Sequence, residues 1–234
     1  MLAVLSFIKL IFLLLWSFSC IILATLAYFL TFQKGAMLFL AKHIWARPML
    51  MILGMRLKIH GKENIDKKQH YLIVANHASY SDIPVLFRTL PFNVHYIAKA
   101  ELKKVPLLGW YMKTAGIIFM DRKNNRNAKA SIIASGELMK KGKSVAIFPE
   151  GTTSITGEVA KFKKGGMHVA MAAESIILPI KIKGSFEAWP STSNFKIRGG
   201  RIDVIIDKPI PFEDYKDEDV NVFLTKLRQQ IIDL

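Results

Sequence analysis

The 234-residue sequence predicts an α/β domain, a single sheet covered by helices, preceded by an N-terminal membrane-associated helical segment. Three observations predict it. Residues 10–32 carry no charge. All 18 acidic residues follow residue 62, whereas seven of the 33 basic residues lie within residues 1–62. From about residue 61 onward, short β-branched runs alternate with longer helical patterns. The division is therefore 1–60 for membrane-anchoring helices and 61–234 for one domain, a length that buries a real core.

As a helix, residues 10–32 would run roughly 35 Å, enough to cross the hydrocarbon core of a bilayer. A cleaved leader is the competing reading. The run is too long for a leader's apolar core, and Ser17-Phe18-Ser19-Cys20 makes a poor cleavage or lipidation site. A second apolar segment, 36–57, is interrupted by Lys42, His43, Arg47 and Pro48, so its helix should break near Pro48 and its charges should seek headgroups. Lys34, Lys42, Arg47, Arg56 and Lys58 follow the first segment while Lys9 and the amino terminus precede it, which places the bulk of the chain on the cytoplasmic side. A two-helix hairpin within one leaflet satisfies the same composition. Cys20 is the only cysteine and lies in the apolar stretch, so no disulfide framework is possible within one chain.

Strands are expected at 70–75, 94–98, 117–120, 144–148, 177–183 and 201–206, with helices at 82–89, 106–115, 128–141 and 166–174 between them. Residues 217–234 carry Val220, Phe223, Leu224, Leu227 and Ile231 at helical spacing and should pack on the body. The charged stretch 122–126 reads as a solvated loop and helix start rather than a nucleic-acid site.

Two strings carry chemistry. Asn76-His77-Ala78-Ser79-Tyr80-Ser81-Asp82 emerges at the carboxyl end of an apolar run, where open α/β sheets place ligands. In a continuous helix His77 and Asp82 would stand roughly 140° apart, so the segment must turn to bring them together. Ser79 or Ser81 can cap a helix beginning near Asp82, and Pro84 fits its first turn. An imidazole with a carboxylate on one nitrogen keeps the other free to take a proton. The plain structural alternative is a histidine that caps a helix. The second string, Phe148-Pro149-Glu150-Gly151-Thr152, follows another apolar run; alone it also reads as a strand ending in a turn with Glu150 in solvent.

Taken together, the strings resemble the glycerolipid acyltransferase superfamily, and within it the 1-acylglycerol-3-phosphate (lysophosphatidate) acyltransferases. The Asn-His-x4-Asp block is matched by Asn76, His77 and Asp82, and the second block by Gly116, Phe119, Asp121 and Arg122. The third is matched by residues 148–152 and the fourth by Leu178-Pro179-Ile180, with Phe162-Lys163-Lys164-Gly165 as a basic turn between them. The resemblance covers roughly residues 60–210 in order and spacing. It implies a glycerolipid acyltransferase-like fold, His77 as base and Asp82 as its partner. Asn76 of the first block, Thr152 of the third and the basic-turn residues Lys163 and Lys164 would join the substrate-binding set. Arg122 and Glu150 would help hold the acceptor's phosphate and glycerol, Gly151 would let backbone approach the ligand, and Pro179 would shape the acyl-donor side.

The expected activity is transfer of a fatty acyl group from acyl-CoA or acyl-carrier protein to the free hydroxyl of lysophosphatidate at a lipid bilayer, with no cofactor. The six histidines form no ligand-spaced cluster, so no metal is implied. Thr153 stands where phosphatidate-forming members usually carry Arg, so either Lys161, Lys163 or Lys164 supplies that charge or the acceptor is another lysolipid, a lyso-aminolipid or lysophospholipid. A serine hydrolase would need a Gly-x-Ser-x-Gly turn, which is absent. A basic lipid- or nucleic-acid-binding protein would not need His77, and no basic motif interleaved with aromatics marks nucleic acid as a partner.

Overall fold

The computed structural model describes residues 1–121, 125–193 and 195–234, the side chains of 125–128 apart. Helix α1 (Leu2–Thr31) turns back through Phe32 into α2 (Lys34–Leu40), a π turn (Ala41–Trp45) and α3 (Ala46–Leu53). Thus the second apolar segment does not break at Pro48. The Ala46 N–H reaches back five residues to Ala41 O, and Pro48 falls in the first turn of the helix that follows. The wide turn displaces the carbonyls that the proline ring would meet, and leaves its missing N–H where no intrahelical partner is required.

The sheet has seven strands in the order β1-β7-β6-β2-β5-β3-β4. They are β1 (Met55–His60), β2 (Tyr71–Ala75), β3 (Val94–Lys99), β4 (Ile118–Met120), β5 (Ser144–Ile147), β6 (Ile176–Lys183) and β7 (Gly200–Ile206). All neighbours are parallel except β6 and β7, so β1 and β7 run against the other five. Strand β1 was not expected: Met55-Arg56-Leu57-Lys58-Ile59-His60 alternates with period two, yet the sequence reading spent it on the end of the membrane segment. The sheet therefore begins at Met55, inside the stretch assigned to anchoring helices. Gly54 closes α3 in a left-handed conformation at φ 73°, and Gly200 N–H binds its carbonyl at 2.9 Å, which locks the start of β1 beside β7.

Every residue of β2 is buried, as a strand covered on both faces requires. On one face Ile73, Ala75, Leu178, Ile180, Ile202 and Val204 pack with Leu13, Met37, Leu50 and Leu53 of α1–α3 and with Val85 and Leu86 of α4 (Asp82–Thr89). On the other face Leu72, Val74, Val145, Ile147 and Ile177 meet α6 (Asn125–Lys140), α7 (Lys164–Ala172) and α9 (Val220–Asp233) through Met139, Met167, Phe223, Leu227 and Ile231. The expected 217–234 stripe is thus the packed face of α9. Asp219 caps that helix, its carboxylate accepting the N–H groups of Asn221 and Val222 at 2.9 and 3.1 Å. Helix α5 (Leu108–Thr114) precedes β4, and the short α8 (Ser185–Ala188) lies in the β6–β7 connection.

Candidate active site

The carboxyl end of β2 delivers His77 to the end of the sheet where β5 and β6 also terminate. The chain then turns, as the spacing required. Asp82 is the first residue of α4 and its Oδ2 lies 2.8 Å from His77 Nδ1. The turn is tied by the same oxygen, which accepts the Ala78 and Ser79 N–H groups at 2.8 and 2.9 Å. Asp82 is fully buried and the His77 side chain is 16% exposed. Neither serine caps α4 through its hydroxyl: Ser79 and Ser81 bond each other at 2.9 Å instead, and the helix entry is organised by Asp82 itself.

His77 is held on its other sides by the segment after β5. Its ring stacks on Phe148, with centroids 4.0 Å apart and planes 16° from parallel. Its backbone N–H donates to Glu150 Oε1 at 2.7 Å, and its carbonyl accepts the Ser154 N–H at 2.7 Å. Nδ1–H therefore donates to Asp82, a tautomer assigned from this network, and Nε2 has no hydrogen-bond partner among the described residues. A fixed, carboxylate-paired imidazole with one free nitrogen can accept a proton from a hydroxyl.

Comparison with known proteins now decides the lineage. Residues 56–183 match the family model described as Acyltransferase. The chain belongs to the acyltransferase family. A 1-acyl-sn-glycerol-3-phosphate acyltransferase of Saccharomyces cerevisiae is 36% identical over 201 residues, covering 83% of this chain and 66% of that protein. One of Cocos nucifera is 33% identical over 192 residues, covering 82% of this chain and 61% of that protein. The chain thus spans somewhat under two thirds of the length of these relatives. Among solved structures, the 1-acyl-sn-glycerophosphate (LPA) acyltransferase PlsC of Thermotoga maritima superposes with a TM-score of 0.81 at 22% identity, covering all of this chain and 97% of that one. That likeness shows the acyltransferase fold, a single mixed sheet flanked by helices.

In this member of the family the remaining residues of the motifs divide by what they touch. Asn76 is buried and bridges to β6: its Nδ2 donates to Ile182 O at 3.0 Å and its Oδ1 accepts the Ile182 N–H at 2.7 Å. Through these two bonds it joins β2 to β6. Glu150 is engaged by backbone in the same way. It is 2% exposed rather than in solvent, and its second oxygen accepts the Ala160 N–H at 2.8 Å. Burial raises its carboxyl above the ordinary range, opposed by the Ala160 and His77 N–H groups. With both oxygens on backbone, it props the His77 turn against the 150s loop.

Gly151 has φ 76°, and a Cβ there would come within 2.8 Å of Lys163 Nζ, so the glycine makes room for that ammonium. Lys163 is exposed beside Thr152, which is also exposed, and Thr153, which is half-buried. Lys164 instead bears on Asp219, whose carboxyl it helps to lower. Pro179 lies inside β6, opposite Val74, where it is buried. Its carbonyl accepts the Asp207 N–H at 3.0 Å while the regular β6–β7 pairing begins only at Ile180, so the missing proline N–H falls at a break in the ladder. Arg122 lies outside the described residues.

Two contributors were not singled out from sequence. The aromatic platform of Phe148 stood in the motif string but read as a strand residue. Trp189 meets Tyr80 edge-on at 5.5 Å beside the His77 turn, and no spacing rule links a residue in the β6–β7 connection to one after β2.

Proposed function

We propose that the chain is a membrane-associated O-acyltransferase that moves a fatty acyl group from acyl-CoA or acyl-carrier protein to the free glycerol hydroxyl of lysophosphatidate, giving phosphatidate. The observation that carries this reading is the His77–Asp82 pair at 2.8 Å with Nε2 left free. Nε2 takes the proton of the acceptor hydroxyl, and the alkoxide attacks the thioester carbonyl. The tetrahedral intermediate then collapses with cleavage of the C–S bond, and the thiolate leaves with the proton returned from His77. Asp82 steadies the imidazolium formed between the two transfers. Direct transfer needs neither an acyl-enzyme nor a cofactor.

For the acceptor phosphate, the three lysines considered from sequence are no longer equal. The Lys163 ammonium stands over Gly151 with no hydrogen bond or ion pair among the described residues, whereas Lys164 lies within electrostatic reach of Asp219. We assign the phosphate to Lys163, with Arg122 as its proposed companion. Thr153 favours a second reading, in which the acceptor is another lysolipid, because a hydroxyl donates one hydrogen bond but neutralises no charge.

The anchoring mode follows from α1. Near its start, Lys9 Nζ reaches Leu53 O and Ile197 O at 3.3 and 3.4 Å, and Ser6 Oγ accepts the Ile197 N–H at 3.1 Å. Near its end, Tyr28 and Phe29 contact Trp110 of α5 at 6.2 and 6.0 Å between ring centroids. Those contacts lie about 30 Å apart along the helix. Both ends therefore rest on the same domain, and the outer side exposes Phe12, Leu14, Leu15, Phe18 and Leu26. Such a helix lies in one leaflet, with the domain on the cytoplasmic side, whose anionic leaflet suits the cations that follow α1.

The test is acyl transfer from labelled acyl-CoA to a panel of lysolipids in reconstituted vesicles. Transfer to lysophosphatidate is expected, lost about 10²–10⁴-fold in His77→Ala, with KM for the acceptor raised in Lys163→Ala and unchanged in Lys164→Ala. Absence of transfer to every acceptor would sink the reading. Transfer confined to acceptors without a phosphomonoester would establish the second one.

A further inference from the structure

We infer that the edge of the sheet beside the membrane helices carries a docking groove for the nucleotide of a coenzyme A thioester. The inference rests on the acyl-transfer reading above and adds to it which part of the donor is held, and where. Gly54, Arg56, Leu57, Lys58, Gly200 and Arg201 line an open groove of about 430 Å³, within the range of small-ligand sites.

Its charge is unusual for a parallel strand pair. Arg56 stands directly opposite Arg201 in the β1–β7 register, a like-charge pair that disfavours pairing unless an anion lies between. Arg201 is partly offset by Asp203, which it holds through Nε and Nη2 at 2.7 Å each, and His60 takes the same carboxylate at 2.9 Å. The side chains of Arg56 and Lys58 make no hydrogen bond or ion pair among the described residues, although Lys58 stands opposite Asp203 in the register, and Lys9 Nζ stands at the lip, near Gly54. Two free cations and one guanidinium match a pyrophosphate and a ribose 3′-phosphate on one ligand.

Position supports the nucleotide over a lipid headgroup. Arg56, Lys58, Arg201 and Asp203 occupy the sheet face opposite to Ile202 and Val204, which are buried under the α1–α3 side. The charged strand face thus turns away from the side that the apolar helices cover, with Lys9 of α1 reaching its lip, which leaves it open to a water-soluble ligand. It also lies at the catalytic end. Asn76 bonds Ile182, the adjacent Lys183 pairs with Asp203, and Arg201 and Gly200 extend further in the same direction because β7 runs antiparallel to β6. From β2 to β1 is three strand spacings, about 15 Å. A pantetheine arm laid past Lys183 spans that distance and brings the thioester to His77.

The experiment uses the full chain in detergent and measures equilibrium binding of free CoA, then steady-state transfer. In Arg56→Ala/Lys58→Ala, CoA binding should weaken about tenfold or more, and KM for acyl-CoA should rise with kcat unchanged. An acyl-pantetheine donor, which has no nucleotide, should be used equally well by variant and parent. His77→Ala should bind CoA as the parent does while losing transfer; undiminished transfer by His77→Ala, with CoA binding intact, would defeat the acyl-transfer reading and leave the groove standing. Unchanged CoA affinity in the double variant would overturn the groove. So would a KM effect confined to the lysolipid, or one confined to acyl-carrier protein as donor, the last marking the face as a site for an acidic protein.

Discussion

Glu150 holds a backbone N–H on each oxygen and keeps lone pairs for a further donor, so its carboxylate can prop the His77 turn or also grip the acceptor. The two possible roles separate in kinetics. Glu150→Gln keeps one acceptor oxygen and loses the other, so either the His77 turn or the Ala160 loop slackens. The expected result is a fall in kcat of about tenfold with KM for the lysolipid little changed; a rise in KM at constant kcat would instead return Glu150 to the acceptor. The same variant has a signature in stability. Because burial raises the Glu150 carboxyl, the folded chain holds that proton more tightly than the unfolded chain. Its contribution is then most favourable below the ordinary glutamate range and is lost as pH rises through the raised value. Melting curves should show this slope in the parent and not in Glu150→Gln. At this scale the His77–Asp82 contact was legible, since a five-residue spacing that no helix can close demands a turn. The backbone partners of Asn76 and Glu150 were not, because a donor 106 or 73 residues away in sequence leaves no local trace.

Elements were legible where their period was strong and uninterrupted. β2 and α9 read directly from apolar spacing, whereas β1 carried the period-two pattern of a half-buried edge strand but followed a membrane segment that absorbed it. Pro48 misled for a related reason: a proline breaks a helix of ordinary pitch, and the π turn before it removes the clash that the rule assumes. The join between β2 and β6 is the element-scale contact with the largest expected effect. Asn76→Ala leaves the buried Ile182 N–H and C=O without these partners and should cost about 2–4 kcal/mol in chemical denaturation, with residual activity falling in step with the folded fraction. At the other end of the fold, the Val222 and Asn221 N–H groups hold the Asp219 carboxyl below the ordinary range. Its stabilising contribution is present above the ordinary aspartate range and disappears as pH falls through the lowered value, so Asp219→Ala should lower the melting temperature near neutral pH and converge with the parent in acid.

At the scale of the whole molecule, the seven strands described and two helical layers leave one end of the sheet for chemistry and one face for the apolar helices α1–α3. Composition announced the apolar helix but could not say whether it crosses, because length and hydropathy are the same for a helix that spans and one that lies flat. Long-range contacts at Ile197 and Trp110 favour the flat arrangement proposed above. Reporter tags fused at residue 1 and at residue 234 should therefore be accessible from the same side of sealed vesicles; opposite sides would show a crossing helix. A helix that rests along the domain also fixes the height of His77 relative to the leaflet, and this has a kinetic consequence. In the proposed arrangement the acceptor would reach the site by lateral diffusion, so the rate should respond to its mole fraction in the surface rather than to its bulk concentration. Diluting the lysolipid with an inert phospholipid, at constant amounts of both enzyme and lysolipid, slows the reaction as though substrate had been withdrawn.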